Sequence, residues 1–216
     1  MTLRVSDSTV DVDQVIVIDV SNTNDAPVFT EDIADQSTDE DADDISFSII
    51  PTDVDTEASL TVTVTTNNGS LFPEETITVS PESGDTGVER TITMDPPDNQ
   101  NGTALVTVTV TDGSETVNQQ FTVTVTEVND APVISSTPMT SATEDVAYSY
   151  TVTASDVDAS DVLTFAATTV PTWLTLTNNG NGTSSLNGTP TNDNVGNHSV
   201  VLTVSDGEGG SAQQSF

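Results

Sequence analysis

The chain contains the alternating stretch Leu60-Thr61-Val62-Thr63-Val64-Thr65, which decides its fold. Successive side chains of a β-strand point to opposite faces, so this pattern puts apolar residues on one face and threonines on the other. Residues 104–111 and 121–126 alternate in the same way, and turn-forming sequences such as Asp112-Gly113 separate the alternating stretches. No segment has the periodicity of an amphipathic helix. The sequence therefore predicts an all-β protein.

Four short motifs rich in acidic residues each occur twice, in the same order. The first set is Asn24-Asp25-Ala26-Pro27, Glu40-Asp41, Asp53-Val54-Asp55 and Asp112-Gly113. The second set is Asn129-Asp130-Ala131-Pro132, Glu144-Asp145, Asp156-Val157-Asp158 and Asp206-Gly207. The two sets are offset by roughly 100 residues, which is the size of one immunoglobulin-like β-sandwich. We therefore predict tandem immunoglobulin-like sandwiches of about seven strands each.

The spacing of the motifs also predicts where the units begin and end. Asp7 stands the same distance before Asp25 as Asp112 stands before Asp130. Residues 1–24 are therefore predicted to be the C-terminal strands of a preceding repeat, with the second strand over 14–20. Residues 25–130 are predicted to form a complete repeat, and 131–216 a third repeat that lacks its last strand. An unpaired sheet edge invites another strand, and the 14–20 strand of a neighbouring molecule is one candidate.

Composition narrows the classes of partner. The chain carries a formal charge of −33, from 35 acidic residues against Arg4 and Arg90. Phosphate contacts need Lys and Arg, so nucleic acid is excluded as a partner, and an anionic membrane surface is disfavoured. Such a charge destabilises a compact state unless cations neutralise it. It is also typical of disordered chains, but the alternating stretches favour a folded β protein. No apolar run is long enough to span a membrane, so we expect no membrane insertion.

The recurring motifs carry the oxygen ligands that Ca²⁺ prefers. Calcium takes carboxylate, amide and carbonyl oxygens, and an Asp-x-Asp pair can aim two carboxylates at one point. The chain has no cysteine and a single histidine, His198, so zinc and copper fit less well. Asp-Gly and Asn-Asp are also ordinary turn formers, and any one motif alone is best interpreted as a solvated turn. The recurrence of the whole set favours metal binding.

The order of these motifs resembles the cadherin-like repeats of large bacterial surface adhesins. The middle repeat is similar to their Val-Asn-Asp-Ala-Pro class, although Thr23 replaces valine at the upstream copy. The third unit resembles the dystroglycan-type cadherin-like, or Ig-like, module. That resemblance rests on Pro171-Thr172-Trp173-Leu174 and Leu186-Asn187-Gly188-Thr189-Pro190.

This resemblance implies calcium at the joint between consecutive units. The first joint would use Asn24, Asp25, Asp53, Asp55 and Asp112. The second joint would use Asn129, Asp130, Asp156, Asp158 and Asp206, with Glu40 from the upstream unit. Asp98, with Asp193 as its counterpart, stands nearest the place of the family's Asp-Arg-Glu motif, which this chain lacks. Glu144 would serve a further joint, and the number of ions per joint is left open.

The resulting hypothesis is an extracellular, calcium-rigidified array at a bacterial cell surface that acts in cell adhesion. Its candidate partners besides calcium are cell-surface glycans or another copy of the adhesin. We expect no enzyme, because His198 has no catalytic companions and the paired carboxylates lie in turns without an aromatic cleft.

Two alternatives to the adhesin hypothesis are carried forward. One is a carbohydrate-binding or spacer module of a secreted polysaccharide-degrading protein, in which Trp173 would stack on a sugar. The position of Trp173 beside Leu174 instead favours a place in the core. The other is a structural spacer of a salt-adapted protein, without a specific metal.

Overall fold

The computed structural model describes residues 1–55 and 59–216. Its strands, in chain order, are β1 (Thr2–Ser6), β2 (Asp11–Val15), β3 (Val28–Phe29), β4 (Gln36–Asp39), β5 (Ile45–Ile49), β6 (Pro51–Thr52), β7 (Ser59–Thr66), β8 (Ile77–Ser80), β9 (Ser83–Asp85), β10 (Arg90–Met94), β11 (Gly102–Thr111), β12 (Thr116–Thr126), β13 (Val133–Ile134), β14 (Tyr148–Ser155), β15 (Thr164–Thr169), β16 (Leu174–Gly180), β17 (Thr183–Gly188), β18 (Val201–Ser205) and β19 (Ser211–Ser215). Two short 3-10 helices, Glu74–Thr76 and Asn192–Asn194, complete the regular structure. Among the described residues, no helix is long and apolar enough to cross a membrane.

The first sandwich packs two sheets around one core. One sheet has the order β4-β12-β11-β7-β9 and the other β5-β10-β8, while β3 pairs with β6. All of these pairings are antiparallel except β4 with β12. Side chains from both sheets, such as Ile92 and Val108, share the buried core. Seven of the ten strands described here have four or more residues, as predicted for a sandwich of about seven strands.

The second sandwich repeats this architecture with seven strands. Its sheets have the orders β13-β14-β17-β16 and β15-β18-β19. The alternation of β14, with Tyr148, Tyr150 and Val152 buried and the residues between them exposed, is that of a half-buried strand. A separate buried core forms between the sheets, with Leu186 and Leu202 at its centre. The all-β, immunoglobulin-like fold predicted from the sequence is confirmed.

An N-terminal hairpin of β1 and β2 precedes the first sandwich. Its register pairs Thr2 with Val15, just as β11 and β12 pair Thr107 with Gln120 at the matching positions. The predicted strand over 14–20 is wrong in extent, because β2 ends at Val15. Ile16 donates its backbone N–H to the carbonyl of Met1 at 3.0 Å, and residues 17–20 have no strand partner among the described residues.

The guanidinium of Arg90 is buried and has no carboxylate partner among the described residues. Its Nη1 donates to the carbonyl of Val88 at 2.7 Å, and its Nη2 points towards the carbonyl of Leu60 at 3.4 Å. Arg90 is fully buried, and this desolvation lowers the pKa of its guanidinium. The side chain therefore ties β10 to its neighbours through backbone carbonyls, at the cost of burying a charge.

Arg90→Ala should destabilise the first sandwich by about 2–5 kcal/mol, because it leaves a cavity and unpaired carbonyls. Arg90→Met fills similar volume without a buried charge, so its cost should be smaller. Urea unfolding followed by circular dichroism measures both free energies of unfolding. Equal losses for the two variants would show that the packing of the long side chain has no role.

Candidate metal centres

The first candidate centre gathers the linker motif, the Asp-x-Asp motif and the Asp-Gly turn at one end of the first sandwich. The backbone N–H of Asp25 donates to Asp55 Oδ2 at 2.9 Å, and Asn24 Nδ2 donates to Asp112 Oδ2 at 3.0 Å. The backbone N–H of Asp55 donates to Asp53 Oδ1 at 2.8 Å. These residues meet because β6 ends just before Asp53 and β11 ends just before Asp112.

The second candidate centre has the same pattern of hydrogen bonds at the matching positions. The backbone N–H of Asp130 donates to Asp158 Oδ2 at 2.7 Å, and Asn129 Nδ2 donates to Asp206 Oδ2 at 3.1 Å. The backbone N–H of Asp158 donates to Asp156 Oδ1 at 3.2 Å. The two sets of motifs therefore build the same local structure twice, as their recurrence in the sequence indicated.

The upstream sandwich reaches the second centre through Glu40. This side chain is only 2% exposed, although glutamate is rarely buried. Its Oε1 accepts the backbone N–H of Val128 at 3.0 Å, and its Oε2 lies 3.4 Å from Asn101 Nδ2. Glu40 thereby holds the start of the linker that carries Asn129 and Asp130.

Both centres contain buried carboxylate oxygens that have no hydrogen-bond partner among the described residues. They are the Oδ2 atoms of Asp53 in the first centre and of Asp130, Asp156 and Asp161 in or beside the second. One carboxylate oxygen from each of Asp156, Asp161 and Asp206 lies within 4.8 Å of the others. An unpaired buried acceptor costs free energy, and for carboxylates a bound cation is one way to remove that cost. The residues present therefore fit an oxygen-coordinated ion.

Protein cations do not neutralise these carboxylates. Among the described residues, salt bridges join only Arg4 to Asp11 and Asp13. Burial, followed by the charges of Asp41, Asp158, Glu40 and Asp156, raises the pKa of Asp130. Burial and the charges of Asp156, Asp158, Asp206 and Glu208 raise the pKa of Asp161 in the same way. The second centre is therefore a site of uncompensated negative charge.

Hydrogen bonds hold other carboxylates of the centres in their charged form. The backbone N–H of Asp25, then Asn22, lowers the pKa of Asp55, and backbone N–H groups of Glu115 and Ser114 lower the pKa of Asp112. Burial favours a higher pKa for Asp206. Donation from Asn129 and from the N–H groups of residues 208–210 outweighs it and lowers the pKa of Asp206.

The stability of the metal-free chain should first rise and then fall as the pH is lowered from neutral. Acidification from neutral pH protonates Asp130 and Asp161 in the folded chain first, because their folded pKa values lie above the ordinary 3.8, so stability should rise. The pKa values of three other carboxylates are lowered in the folded chain, so these groups stabilise the fold at pH values above 3.8. Their contribution is lost as the pH falls further; the groups are Asp55, Asp112 and Asp206. Melting temperatures of resin-stripped protein check this, and Asp161→Asn should flatten the initial rise. A steady fall from neutral pH would contradict it.

The structure differs from the sequence-based hypothesis at four acidic residues. Asp161 was missed, although it follows Asp158 by three residues; the matching segment of the first sandwich lies outside the described residues. Asp98 is exposed and has no described hydrogen bond to either centre, but its charge acts after burial and Asp44 to raise the pKa of Asp95. Glu144 and Asp193 are exposed.

The asparagines take part in the centres through their amide nitrogens. Asn24 Nδ2 also lies 3.0 Å from the carbonyl of Asp25, and Asn129 Nδ2 lies 2.9 Å from that of Asp130. As placed, these side chains connect the linker to the Asp-Gly turn. Their amide oxygens are not the atoms that face Asp112 and Asp206.

Two family models match the chain in adjoining segments. Residues 24–126 match the model described as "Bacterial Ig domain", and residues 131–216 match the one described as "Putative Ig domain". The two segments are immunoglobulin-like modules. A comparison with curated proteins finds no match.

Solved structures of cadherin domains have a fold similar to that of this chain. The structure of extracellular cadherin domains 1-5 of protocadherin gamma B2 matches with a TM-score of 0.57 and 16% sequence identity. The match covers 91% of this chain and 39% of the protocadherin chain. Domains 3-6 of the same protein are 15% identical with a TM-score of 0.51, over 88% and 46%. The endo-fucoidan hydrolase MfFcnA4, from glycoside hydrolase family 107, is 23% identical over 99% and 32%, but its TM-score is only 0.39. The chain thus spans less than half of each of these structures.

Proposed function

We propose that this chain binds calcium at the two centres and that calcium stiffens a row of immunoglobulin-like modules. The observation that carries the proposal is a set of buried carboxylate oxygens without a hydrogen-bond partner in the described part of the chain, on Asp53, Asp130, Asp156 and Asp161. These four oxygens belong to the two places where a linker meets the module that follows it. Unsatisfied acceptors at matching joints are best explained by a ligand that binds acceptors.

Calcium suits these centres better than other common cations. Each centre offers several aspartates, and Ca²⁺ takes six to eight oxygen ligands in flexible geometry, whereas Mg²⁺ requires near-ideal octahedral geometry and retains more water. Among the described residues the second centre is the richer one, since Asp161 adds a carboxylate beyond those that match the first. We therefore expect the second centre to bind more tightly.

Stiffening follows from which residues meet at the second joint. The carboxylates that act on Asp130 include Glu40 and Asp41 from the upstream module and Asp156 and Asp158 from the downstream one. Without a cation these charges repel one another and favour separation of the modules. Ligands from the linker and the downstream module would share an ion, while Glu40 fixes the linker to the upstream module.

The proposal also includes a cellular location and a role. Bacterial immunoglobulin-like modules with cadherin-like structural neighbours suit an extracellular or cell-surface location. We propose a non-catalytic stalk of a bacterial adhesin, similar to the Val-Asn-Asp-Ala-Pro class, with cell-surface glycans or another adhesin copy as candidate partners. A direct sugar site on Trp173 is less favoured, because its ring packs edge-to-face against Tyr148 and His198.

Isothermal titration calorimetry with CaCl₂ tests the binding step directly. We expect saturable binding with dissociation constants between about 1 μM and 1 mM, weaker binding of Mg²⁺, and none of Na⁺. An equal response to sodium and calcium at matched ionic strength would contradict the proposal and favour the salt-adapted spacer.

A further inference from the structure

A pocket opens along one edge of β5 in the first sandwich. In the described pairings β5 has β10 on one side and no strand on the other. Residues 47–50 form one wall of the pocket, and residues 29–34 with Gln36 form the opposite wall. Its volume is about 250 Å³. Pockets for drug-sized ligands measure about 300–1,000 Å³, so this one suits a single long side chain.

The pocket exists because the chain crosses between the two sheets at this point. β3 pairs with β6, and the chain then passes to the opposite sheet, where β4 pairs with β12. The crossing residues 30–35 belong to no strand. Glu40 follows Asn24 by 16 positions, whereas Glu144 follows Asn129 by 15, so the first sandwich has one residue more here. The extra length lets the crossing segment bow away from β5.

The second sandwich has polar side-chain contacts at the matching place. Ser136 Oγ accepts the backbone N–H of Thr153 at 2.9 Å and lies 2.8 Å from the hydroxyl of Tyr150. Phe47 is the counterpart of Tyr150, since each stands six positions before its Asp-x-Asp motif. Phe47 has no hydroxyl with which to bond the crossing segment. The opening beside β5 is therefore a feature of the first sandwich rather than of the shared fold.

Hydrogen bonds hold the crossing segment in place. The backbone N–H of Ile33 donates to Gln119 Oε1 at 2.8 Å, and Gln119 Nε2 donates to the carbonyl of Glu31 at 3.3 Å. Thr30 Oγ1 donates to the carbonyl of Ile50 at 3.0 Å. The two walls are thus ordered before anything enters, which reduces the free energy lost to reorganisation on binding.

The lining combines an apolar interior with an acidic rim. Four buried or half-buried apolar side chains line the pocket: Phe29, Ile33, Phe47 and Ile49. Three exposed acidic residues line it as well, Glu31, Asp32 and Glu89, and none of them forms a salt bridge among the described residues. Lysine and arginine place an aliphatic stem on apolar surface and keep a charged head in water. A basic side chain therefore complements both parts of the lining.

The cationic residues of this sequence do not fill the pocket. The sequence contains no lysine and only two arginines. Arg4 donates two hydrogen bonds to Asp13, at 2.6 and 2.8 Å, and Arg90 is fully buried. A cation for this pocket must therefore come from another molecule.

We propose that the pocket beside β5 binds a lysine or arginine side chain of a partner protein. The aliphatic stem would lie on Phe47 and Ile33, and the charged head would meet the carboxylates of the rim. An extended partner segment would also lie along the edge of β5, where main-chain hydrogen bonds add affinity. None of the lining residues belongs to a candidate metal centre, so this contact is independent of calcium.

A short peptide with one central lysine between two valines is the probe for this contact. Titrated into the ¹⁵N-labelled chain, it should shift the NMR signals of residues 29–36 and 47–50, with a dissociation constant on the order of 1 mM. The matched peptide carries norleucine, which has a similar stem without the ammonium group, and should bind at least several-fold more weakly. Equal binding of the two peptides, or shifts confined to other residues, would overturn the proposal.

Two variants separate this pocket from general attraction between an acidic chain and a cation. Glu89→Gln should weaken binding of the lysine peptide by about two- to fivefold, as expected for an exposed ion pair. Glu75→Gln removes the same charge from an exposed glutamate that does not line the pocket, and it should bind as the unmodified chain does. Equal weakening by the two variants would contradict the proposal.

Filling the pocket gives a test that leaves every charge in place. Ala34 lines the pocket and is exposed, so the ring of Ala34→Phe has room to occupy it. The lysine peptide should no longer shift residues 47–50 in this variant, while unchanged signals from the second sandwich and from β11 show that the fold is retained. Undiminished binding to folded Ala34→Phe would rule out the pocket as the binding place, and Glu89→Gln decides the matter if Ala34→Phe does not fold.

Discussion

Asp156→Asn is expected to abolish calcium binding at the second centre and the calcium-dependent stability of the second sandwich. The substitution keeps the size of the side chain but removes the charge beside Asp161 and Asp206, its neighbours within 4.8 Å. A site at calcium concentrations of about 100 times its dissociation constant contributes about 2.7 kcal/mol of stability, which the variant should lose. Scanning calorimetry with calcium and with chelator measures the loss.

A control variant and a second variant at the same centre accompany this test. Glu75→Gln removes one charge from an exposed glutamate far along the chain from the motifs, so its calcium-dependent shift should match that of the unmodified chain. Asp161→Asn should weaken binding as well, since Asp161 Oδ2 is buried and meets no hydrogen-bond partner within 1–55 and 59–216. The same calcium-dependent shift in Asp156→Asn and in the unmodified chain would rule out the second centre as a calcium site.

Gly210→Ala is expected to disrupt the second centre by steric clash. A Cβ at this position would stand 2.1 Å from Asp206 Oδ2 and 2.9 Å from both Ala131 Cα and the Asp130 carbonyl oxygen. The linker and the Asp-Gly turn would have to move apart, which separates Asp206 from Asn129. We expect calcium titration to lose the tighter of two binding steps while the weaker one persists.

Gly69→Ala is the matched control for this prediction. A Cβ at Gly69 meets nothing within 4 Å, and its φ lies outside the positive range that side chains avoid. Its calcium titration should be unchanged. Two intact binding steps in Gly210→Ala would mean that the contact between linker and turn is not needed for either site.

The fold was predictable because its strands follow a simple physical rule. The stretch from Leu60 to Thr65 became the larger part of β7, and the alternating residues 104–111 and 121–126 lie within β11 and β12. Half-buried antiparallel strands need one apolar face, so alternation alone identifies them. The short strands β3, β6 and β9 carry too few residues for such a pattern.

The candidate centres were predictable only in part. Recurrence of the motifs indicated which carboxylates belong together, and the hydrogen bonds of Asp55 and Asp158 follow that grouping. Asp161 has no counterpart in the recurring motifs, so only the three-dimensional proximity to Asp156 and Asp206 reveals it. The extent of β2 also depended on pairing, since residues 17–20 have a strand sequence without a described strand beside them.

Small-angle X-ray scattering with calcium and with chelator tests the central claim most directly. The sample is the unmodified chain at several low concentrations, with the curves extrapolated to zero concentration so that contacts between molecules do not mask changes in shape. With calcium we predict an extended particle with a well-defined maximum dimension, and in chelator a more flexible chain with a broader range of dimensions. Superimposable scattering curves under the two conditions would contradict the proposal that calcium stiffens the joints.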